Sequence, residues 1–426
     1  MRYSERMRRR TFLKGTTAAA ALIGTGQVYS GEPAHALAAS SVARLDSFIE
    51  TEMTARNIPG LSACLIHEDA ILWRRSYGFA DLENKIPMTA DHILNIASIS
   101  KTFTMLAVMQ QVEAGLIALD ADVNDYLPFS LQHPRFPDRP ITSRMLLQHR
   151  SALRDGAAYP HHYACGDPRM SLGVWIRRVF ETGAEFYDRD ENFAPWEPGD
   201  TYEYSNTAFG LLGYLVEITS GVEFSQYCDR NIFKPLGMNN TSWMLADVDV
   251  SSHAVPYTWV ADNTARGPSS GGTPLGVIRP DGATLGEALS NGYQESCAYS
   301  HPNFTDGFLR TSVNQLSIWA RLWLGDGSID GARLLSAETV QQIYKGTRIL
   351  DGGGDFRQGL AWHSGHELDG HLLWGHGGGD PGVNMDLLML REQRLAAIVF
   401  ANTNGVTPLD FTTEILREGL AARNGY

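Results

Sequence analysis

Strand-like runs lie at both ends of this chain and helical runs lie between them, and that distribution constrains the fold more than any other feature. Residues 61–66 and 70–77 are two short runs rich in apolar residues, and the His67-Glu68-Asp69 turn between them predicts a hairpin. Residues 359–363, 371–374, 383–390 and 395–401 read as further strands near the other end. Helical spacing covers 41–56, before the hairpin, and 412–422, after the last strand. The middle carries helix patterns over 100–117, 207–219, 313–324 and 337–344. The expected class is α/β (α+β): one antiparallel sheet built from both termini, flanked by the N- and C-terminal helices, with a mostly helical unit inserted. The α/β part takes about residues 39–100 and 350–423, and the helical part about 101–349. Two stretches, 155–200 and 251–306, lack periodicity. Loops that long in a compact enzyme usually border a functional cleft.

Residues 1–36 stand apart from that pattern. Arg8-Arg9-Arg10-Thr11-Phe12-Leu13-Lys14 precedes a mildly apolar stretch over 15–24, and Ala34-His35-Ala36 offers small residues two apart. This resembles a twin-arginine export signal cut after Ala36, which implies a periplasmic or secreted protein; the alternative is a basic amphipathic tail. The chain of 426 residues is 43% hydrophobic and 19% charged, a folded, water-soluble composition. No apolar run reaches the ~18 residues a membrane helix needs, so no stable membrane anchor is expected. The net charge of −13 argues against nucleic acid and anionic membrane as partners, and removing residues 1–36 would make the chain more acidic still. Cys64, Cys165, Cys228 and Cys297 form no C-x-x-C pair, which speaks against zinc and leaves disulfides open.

Three short constellations carry chemistry. In Ser98-Ile99-Ser100-Lys101 a serine needs a base to become a nucleophile, and a lysine one helical turn on reaches the same face. To act as that base near neutral pH, Lys101 would need its pKa depressed. Tyr204-Ser205-Asn206 sits on a loop edge before a helix. A phenol there can relay a proton, and an amide can bond both a substrate carbonyl and the lysine; the plain alternative is a capping pair. His376-Gly377-Gly378-Gly379 follows a strand, where side-chain-free backbone can meet a substrate and hold a developing oxyanion; the plain alternative is a glycine-rich turn. A second H-x-G, His363-Ser364-Gly365, leads into 366–370 and reads as a hairpin turn.

In this order and spacing the three resemble the penicillin-recognising serine hydrolases: class C β-lactamases, D,D-carboxypeptidases, D-aminopeptidases and family VIII esterases. The general S-x-x-K mechanism is an established template, its base still argued over. The resemblance spans about 41–419. It implies Ser98 as nucleophile, Lys101 and Tyr204 sharing acid/base work, and Asn206 contacting substrate. It implies an oxyanion hole from the N–H groups of Ser98 and Gly379, with His376, Gly377 and Gly378 beside the substrate. The implied fold is β-lactamase/transpeptidase-like, with no metal or organic cofactor and a small ester, amide or β-lactam as substrate. Two departures stand out. His376-Gly377-Gly378 replaces the Lys-Thr-Gly usual in the β-lactamases, which looks more like the peptidase and esterase branches, and Arg150-Ser151-Ala152 stands where Ser-Gly is more usual.

The leading expectation is an exported hydrolase of small esters or of peptide/amide bonds, including D-amino-acid-containing ones, with β-lactamase as the alternative. A penicillin-binding sensor without turnover is a third reading. A lipase-like reading would use Ser269 of Gly267-Pro268-Ser269-Ser270-Gly271, but that segment lacks the strand and helix a nucleophile elbow requires. Asp380, before Pro381-Gly382, is either the first residue of a turn or an acid that favours a cationic substrate amine. His376, if it faces a substrate carboxylate, should favour such substrates as pH falls from 7.5 to 6.

Overall fold

A computed structural model describes residues 36–260, 292–349 and 356–424. Apart from Ala36, the expected export signal lies outside the described residues, as does Ser269.

The sheet forms as the two-ended patterning requires. Helix α1 (Ala39–Ala55) leads into strands β1 (Gly60–His67), β2 (Ala70–Asp81) and β3 (Ile86–Pro87). The C-terminal portion supplies β4 (Thr347–Arg348), β5 (Arg357–Gln358), β6 (His363–Leu368), β7 (His371–Asp380), β8 (Val383–Leu390) and β9 (Leu395–Ala401). These nine strands form one sheet in the order β4-β5-β6-β7-β8-β9-β1-β2-β3. Every pair is antiparallel, and the termini meet where β1 pairs with β9 in the register Cys64↔Ile398.

Alternation along β8 and β9 divides the core in two. Leu388, Leu390, Ala397 and Val399 face α1 and the C-terminal helix α5 (Leu409–Asn424). Met385, Leu387, Ile398 and Phe400 face the other way, into the larger core shared with the helices α2 (Ser100–Glu113), α3 (Asn206–Ser220) and α4 (Val313–Leu324). Of these, α2 and α3 pack on each other, while α4 lies across β1 and β9. The Ser205 hydroxyl caps α3 by accepting the Ala208 N–H, and Gly221, left-handed at φ 73°, ends it.

Two sequence expectations need correction. Residues 359–362 are not strand: the Gly359 N–H donates to the Trp362 carbonyl, and Ala361 takes φ 58°. His363-Ser364-Gly365 is not a turn but the start of β6, whose hairpin closes at Asp369-Gly370. The second was hidden because a bulge between Ser364 and His366 breaks the alternation of β6. The two long aperiodic segments are tied together by a disulfide, Cys165–Cys297, and by pairing of Ala164–Cys165 with Tyr299–Ser300.

Candidate active site

Ser98 sits in a single 3-10 turn, Ala97–Ile99, between the strand Ile93–Asn95 and α2. That turn is held open in an unusual conformation: Ala97 has φ 44°, in the left-handed region that costs a non-glycine residue about 1–2 kcal/mol. Asn95 holds it there. Its Oδ1 accepts the Ala97 N–H at 2.8 Å, while its Nδ2 donates to Asp380 Oδ2 at 3.0 Å.

Strand β7 does not stop at Trp374. It runs through His376 and all three glycines to Asp380. Its pairing with β6 ends at Gly375, so from His376 onward that edge of β7 has no neighbouring strand among the described residues. The glycines are needed for approach rather than for a turn. A Cβ on Gly378 would stand 2.5 Å from the Ile96 carbonyl oxygen and 3.3 Å from the Ala97 Cβ, so only glycine lets β7 lie against the Ser98 turn.

Lys101 is fully buried on α2, directly behind Ser98. Its Nζ donates to Ser98 Oγ at 3.1 Å, to Asn206 Oδ1 at 2.7 Å and to the Asp306 carbonyl at 2.9 Å. Three acceptors match the three N–H groups of an ammonium; a neutral amine has only two. Burial opposes the charge, but Tyr204, Asp306 and Asp155 outweigh it, so the Lys101 pKa is raised. The depressed value expected of a ready base is therefore not what this site builds. Beside Tyr204, two carboxylates that the motifs did not reveal contribute: the buried Asp306 and the half-buried Asp155. Asp306 Oδ2 lies 3.7 Å from Nζ. Asp155 accepts from the Asn206 N–H at 2.6 Å, Asn206 Nδ2 at 2.8 Å and the Thr207 N–H at 2.9 Å, fixing the start of α3. Burial pushes Asp306 up to about 6, against the pull of Lys101.

Tyr204 is 37% exposed, and its ring centroid lies 4.8 Å from Lys101 Nζ. His149 stacks on that ring with centroids 4.2 Å apart. The His149 Nδ1 accepts the Ser205 N–H at 3.1 Å, and burial, with the Lys101 charge, pushes its pKa well down. A neutral, backbone-anchored imidazole thus holds the phenol in place. His149 was missed because a single histidine in a loop has no spacing signature. The neighbouring departure at Ala152 takes φ 58°, the conformation that favours the glycine more usual there.

A cavity of about 370 Å³ opens in front of Ser98, lined by Tyr204 and by His376 through Gly379. The site thus gathers Ser98, Tyr204, His376, Gly377, Gly378 and Gly379 at one opening, with Lys101 and Asn206 packed behind it. His363 and His366 also line this cavity, so the second H-x-G belongs to the site after all.

Two further expectations change. His376 is buried, and its Nδ1 lies 2.6 Å from the Gly377 carbonyl, to which it donates as Nδ1–H. Burial, then His363 and Lys101, push its pKa well below the ordinary value. It is neutral from pH 6 to 7.5, so the expected gain for carboxylate substrates on acidification does not follow. Asp386 also lines this cavity, and burial pushes it up to about 7, so any change between those pH values in the ratio of kcat/KM for a carboxylate-bearing substrate to that for a neutral ester should persist in His376→Gln. Loss of that change in His376→Gln would show that His376 titrates there.

Asp380 does not face the cavity as a charge. It ends β7 at a tight turn with Pro381 and left-handed Gly382, and accepts from Asn95 Nδ2 and from the Tyr163 hydroxyl at 3.1 Å. Burial and then Asp306 push it up to about 8, so it is largely protonated at pH 7. Asp380 is a positioning residue that ties β7 to the Ser98 turn through Asn95. Asp380→Asn, close in shape to the protonated acid, should lower kcat/KM for amine-bearing and neutral substrates alike, by less than ~10-fold. Asp380→Leu should lose both hydrogen bonds, at about 0.5–1.5 kcal/mol each. A selective loss on amine-bearing substrates in Asp380→Asn would contradict this placement.

The comparisons with known proteins agree with the fold. The chain is 33% identical over 232 residues to Esterase EstB of Burkholderia gladioli, a match covering 52% of this chain and 55% of that protein. It is 23% identical over 362 residues to Protein flp of Staphylococcus aureus (strain N315), covering 85% of this chain and 63% of that one. The chain thus spans little more than half the length of these relatives. Among solved structures, D-amino acid amidase from Ochrobactrum anthropi SV3 in complex with L-phenylalanine amide superposes with a TM-score of 0.69 at 21% identity, covering 89% of this chain and 99% of that one. Finally, the family model described as Beta-lactamase matches residues 45–421, nearly the whole described fold, so the chain belongs to the β-lactamase family.

Proposed function

We propose that this protein is an exported serine hydrolase that cleaves small esters or peptide/amide bonds, D-amino-acid-containing ones among them, through an acyl-enzyme on Ser98. The observation that carries the reading is the three-way donation of Lys101 Nζ, which includes Ser98 Oγ. Because Ser98 Oγ accepts from an ammonium, its own proton is free to leave in another direction, and developing negative charge on Oγ is stabilised in place. Tyr204 is the group that receives it. As Oγ bonds to the substrate carbonyl carbon, the serine proton passes to the Tyr204 oxygen, and the phenol proton passes to the departing alcohol or amine. Water then reverses the sequence, giving its proton to Tyr204 while Ser98 regains one. The carbonyl oxygen sits between the N–H groups of Ser98 and Gly379 on the unpaired edge of β7. Asn206 still has one N–H of Nδ2 beyond that given to Asp155, available to a substrate carbonyl.

Similarity to an esterase and to a D-amino acid amidase supports acyl transfer. Neutral His376 in place of a cationic residue favours esters and amides over carboxylate-bearing β-lactams. Export rests on Arg9-Arg10 and Phe12-Leu13-Lys14. The test is a fluorophosphonate label followed by peptide mass mapping, with a panel of esters, D-aminoacyl amides and cephalosporins. An adduct on the peptide holding Ser98 with turnover of esters or amides is expected. No adduct, or an adduct at Ser269, would overturn the assignment; an adduct without turnover of any substrate would make the protein a sensor. N-terminal sequencing of protein recovered outside the cytoplasm should begin near Ala36.

A further inference from the structure

Beyond Ser98, the cavity continues around β7 to the opposite face of the sheet. It does so because alternate residues on that face, Gly377 and Gly379, lack side chains and leave their partners on the neighbouring strand β8, Asp386 and Asn384, facing the cavity. Asp386, the cross-strand partner of Gly377, forms the floor of this extension. A Cβ on Gly377 would stand 3.7 Å from Asp386 Oδ1, so the glycine leaves that oxygen uncovered. The other oxygen, Oδ2, is buried and accepts no well-aligned hydrogen bond; the Thr412 hydroxyl and the Leu387 N–H are close enough only to hold the carboxyl's pKa partly down against burial. Thr412 on α5 is nearby, but its hydroxyl donates to the Pro408 carbonyl at 2.9 Å. Leu388, Pro408 and Leu409 supply an apolar wall beside it.

From this geometry we infer that Asp386 is a specificity subsite for a cationic substituent: the preferred substrates carry a primary ammonium on a short aliphatic arm that crosses Gly377 and pairs with the Asp386 carboxylate. The inference rests on the Ser98 acyl-enzyme reading and adds the chemical class of the substrate. A buried carboxylate with an unfilled acceptor is costly, and a protein removes that cost by protonating it or by pairing it with a cation. Burial pushes Asp386 up to about 7, so an arriving ammonium need only shift a balanced equilibrium. The other ionisable groups lining this cavity do not compete as cations. Burial pushes His363 to about 4 and lowers His366, and His376 is neutral; Lys101 stands behind Ser98 with its three N–H groups already engaged. The acid that the sequence pointed to, Asp380, is turned inward; the acid that lines the cavity is Asp386.

The test compares two esters of one leaving group at pH 8, one with an ω-ammonium acyl arm and one with a methyl-terminated arm of equal length, over several lengths. For wild type, the ratio of kcat/KM, ammonium over methyl, should peak at one length, and Asp386→Asn should lower that peak ratio by about 10- to 100-fold, the scale of a hydrogen bond to a charged group. Hydrolysis of the methyl ester with a ratio that Asp386→Asn leaves unchanged would overturn the subsite while leaving the Ser98 reading intact. Failure to hydrolyse either ester, with no fluorophosphonate label, would overturn that reading itself. If Asp386→Asn does not fold, wild type decides. Butylammonium should then inhibit methyl-ester hydrolysis at least ~10-fold more tightly than butanol, and equal inhibition would overturn the subsite.

Discussion

Ser98→Ala should abolish turnover, lowering kcat by about 10⁴- to 10⁶-fold, the range for removal of a catalytic nucleophile. The size of the effect follows from what surrounds it. No second hydroxyl replaces Ser98: the Ser100 hydroxyl is buried and faces away from the cavity, bonded by the Leu309 N–H at 3.1 Å. The change should also be nearly silent in folding. Ser98 Oγ accepts one hydrogen bond from Lys101, whose other two acceptors remain. Thermal unfolding should therefore shift little, while the fluorophosphonate adduct disappears. A variant that keeps more than about 1% of wild-type kcat would show that another group attacks the substrate. A variant that loses activity only because it unfolds would leave a circular dichroism spectrum unlike that of wild type.

Much of the fold was legible because it is written in short-range patterns. Short apolar-rich runs placed β8 and β9, and helical apolar spacing placed α4, since each lies between turn residues. The sheet's edge was not legible. β4 and β5 are two residues long, and the bulge in β6 shifts its faces halfway along. The glycines of β7 hid the continuation of that strand, because glycine carries no strand propensity of its own. What makes it a strand is pairing with β8, a long-range fact.

The site shows the same division. Ser98, Lys101, Tyr204, Asn206 and His376 through Gly379 lie in motifs whose members are within three residues of one another, and such motifs can be read along the chain. Asp155, Asp306, His149 and Asn95 act through partners far away in sequence. Asp155 meets Asn206 across 51 residues, and Asp306 meets Lys101 across 205. Those distant partners decide the charge of Lys101, the tautomer of His149 and the direction of Asp380. Motif spacing says which groups meet; burial and long-range pairing decide their protonation states.

The division of labour between Lys101 and Tyr204 is the second large effect. Lys101→Met should slow acylation by about 10²- to 10⁴-fold, and Tyr204→Phe by a similar factor, the span expected when proton transfer loses its positioned partner. In the proposed mechanism the two act at different atoms of one event: Lys101 donates to Ser98 Oγ, and Tyr204 is assigned to carry its proton away. Removing either leaves the other without its purpose, so the double variant should be far less than additive. Folding must be watched in the lysine variant, because losing the ammonium leaves two carboxylates, the buried Asp306 and the half-buried Asp155, without their cation; breaking a buried pair typically costs about 3–5 kcal/mol. Lys101→Met/Asp306→Asn removes one of those carboxylates and should recover part of that stability without recovering acylation. Tyr204, half out of the protein, should be replaceable by Phe with no loss of stability, since its stacking on His149 needs only the ring. Full additivity of the two single variants would mean that Lys101 and Tyr204 serve separate steps. Recovery of acylation in Lys101→Met/Asp306→Asn would mean that the lysine is structural, and the proton path would then run without it.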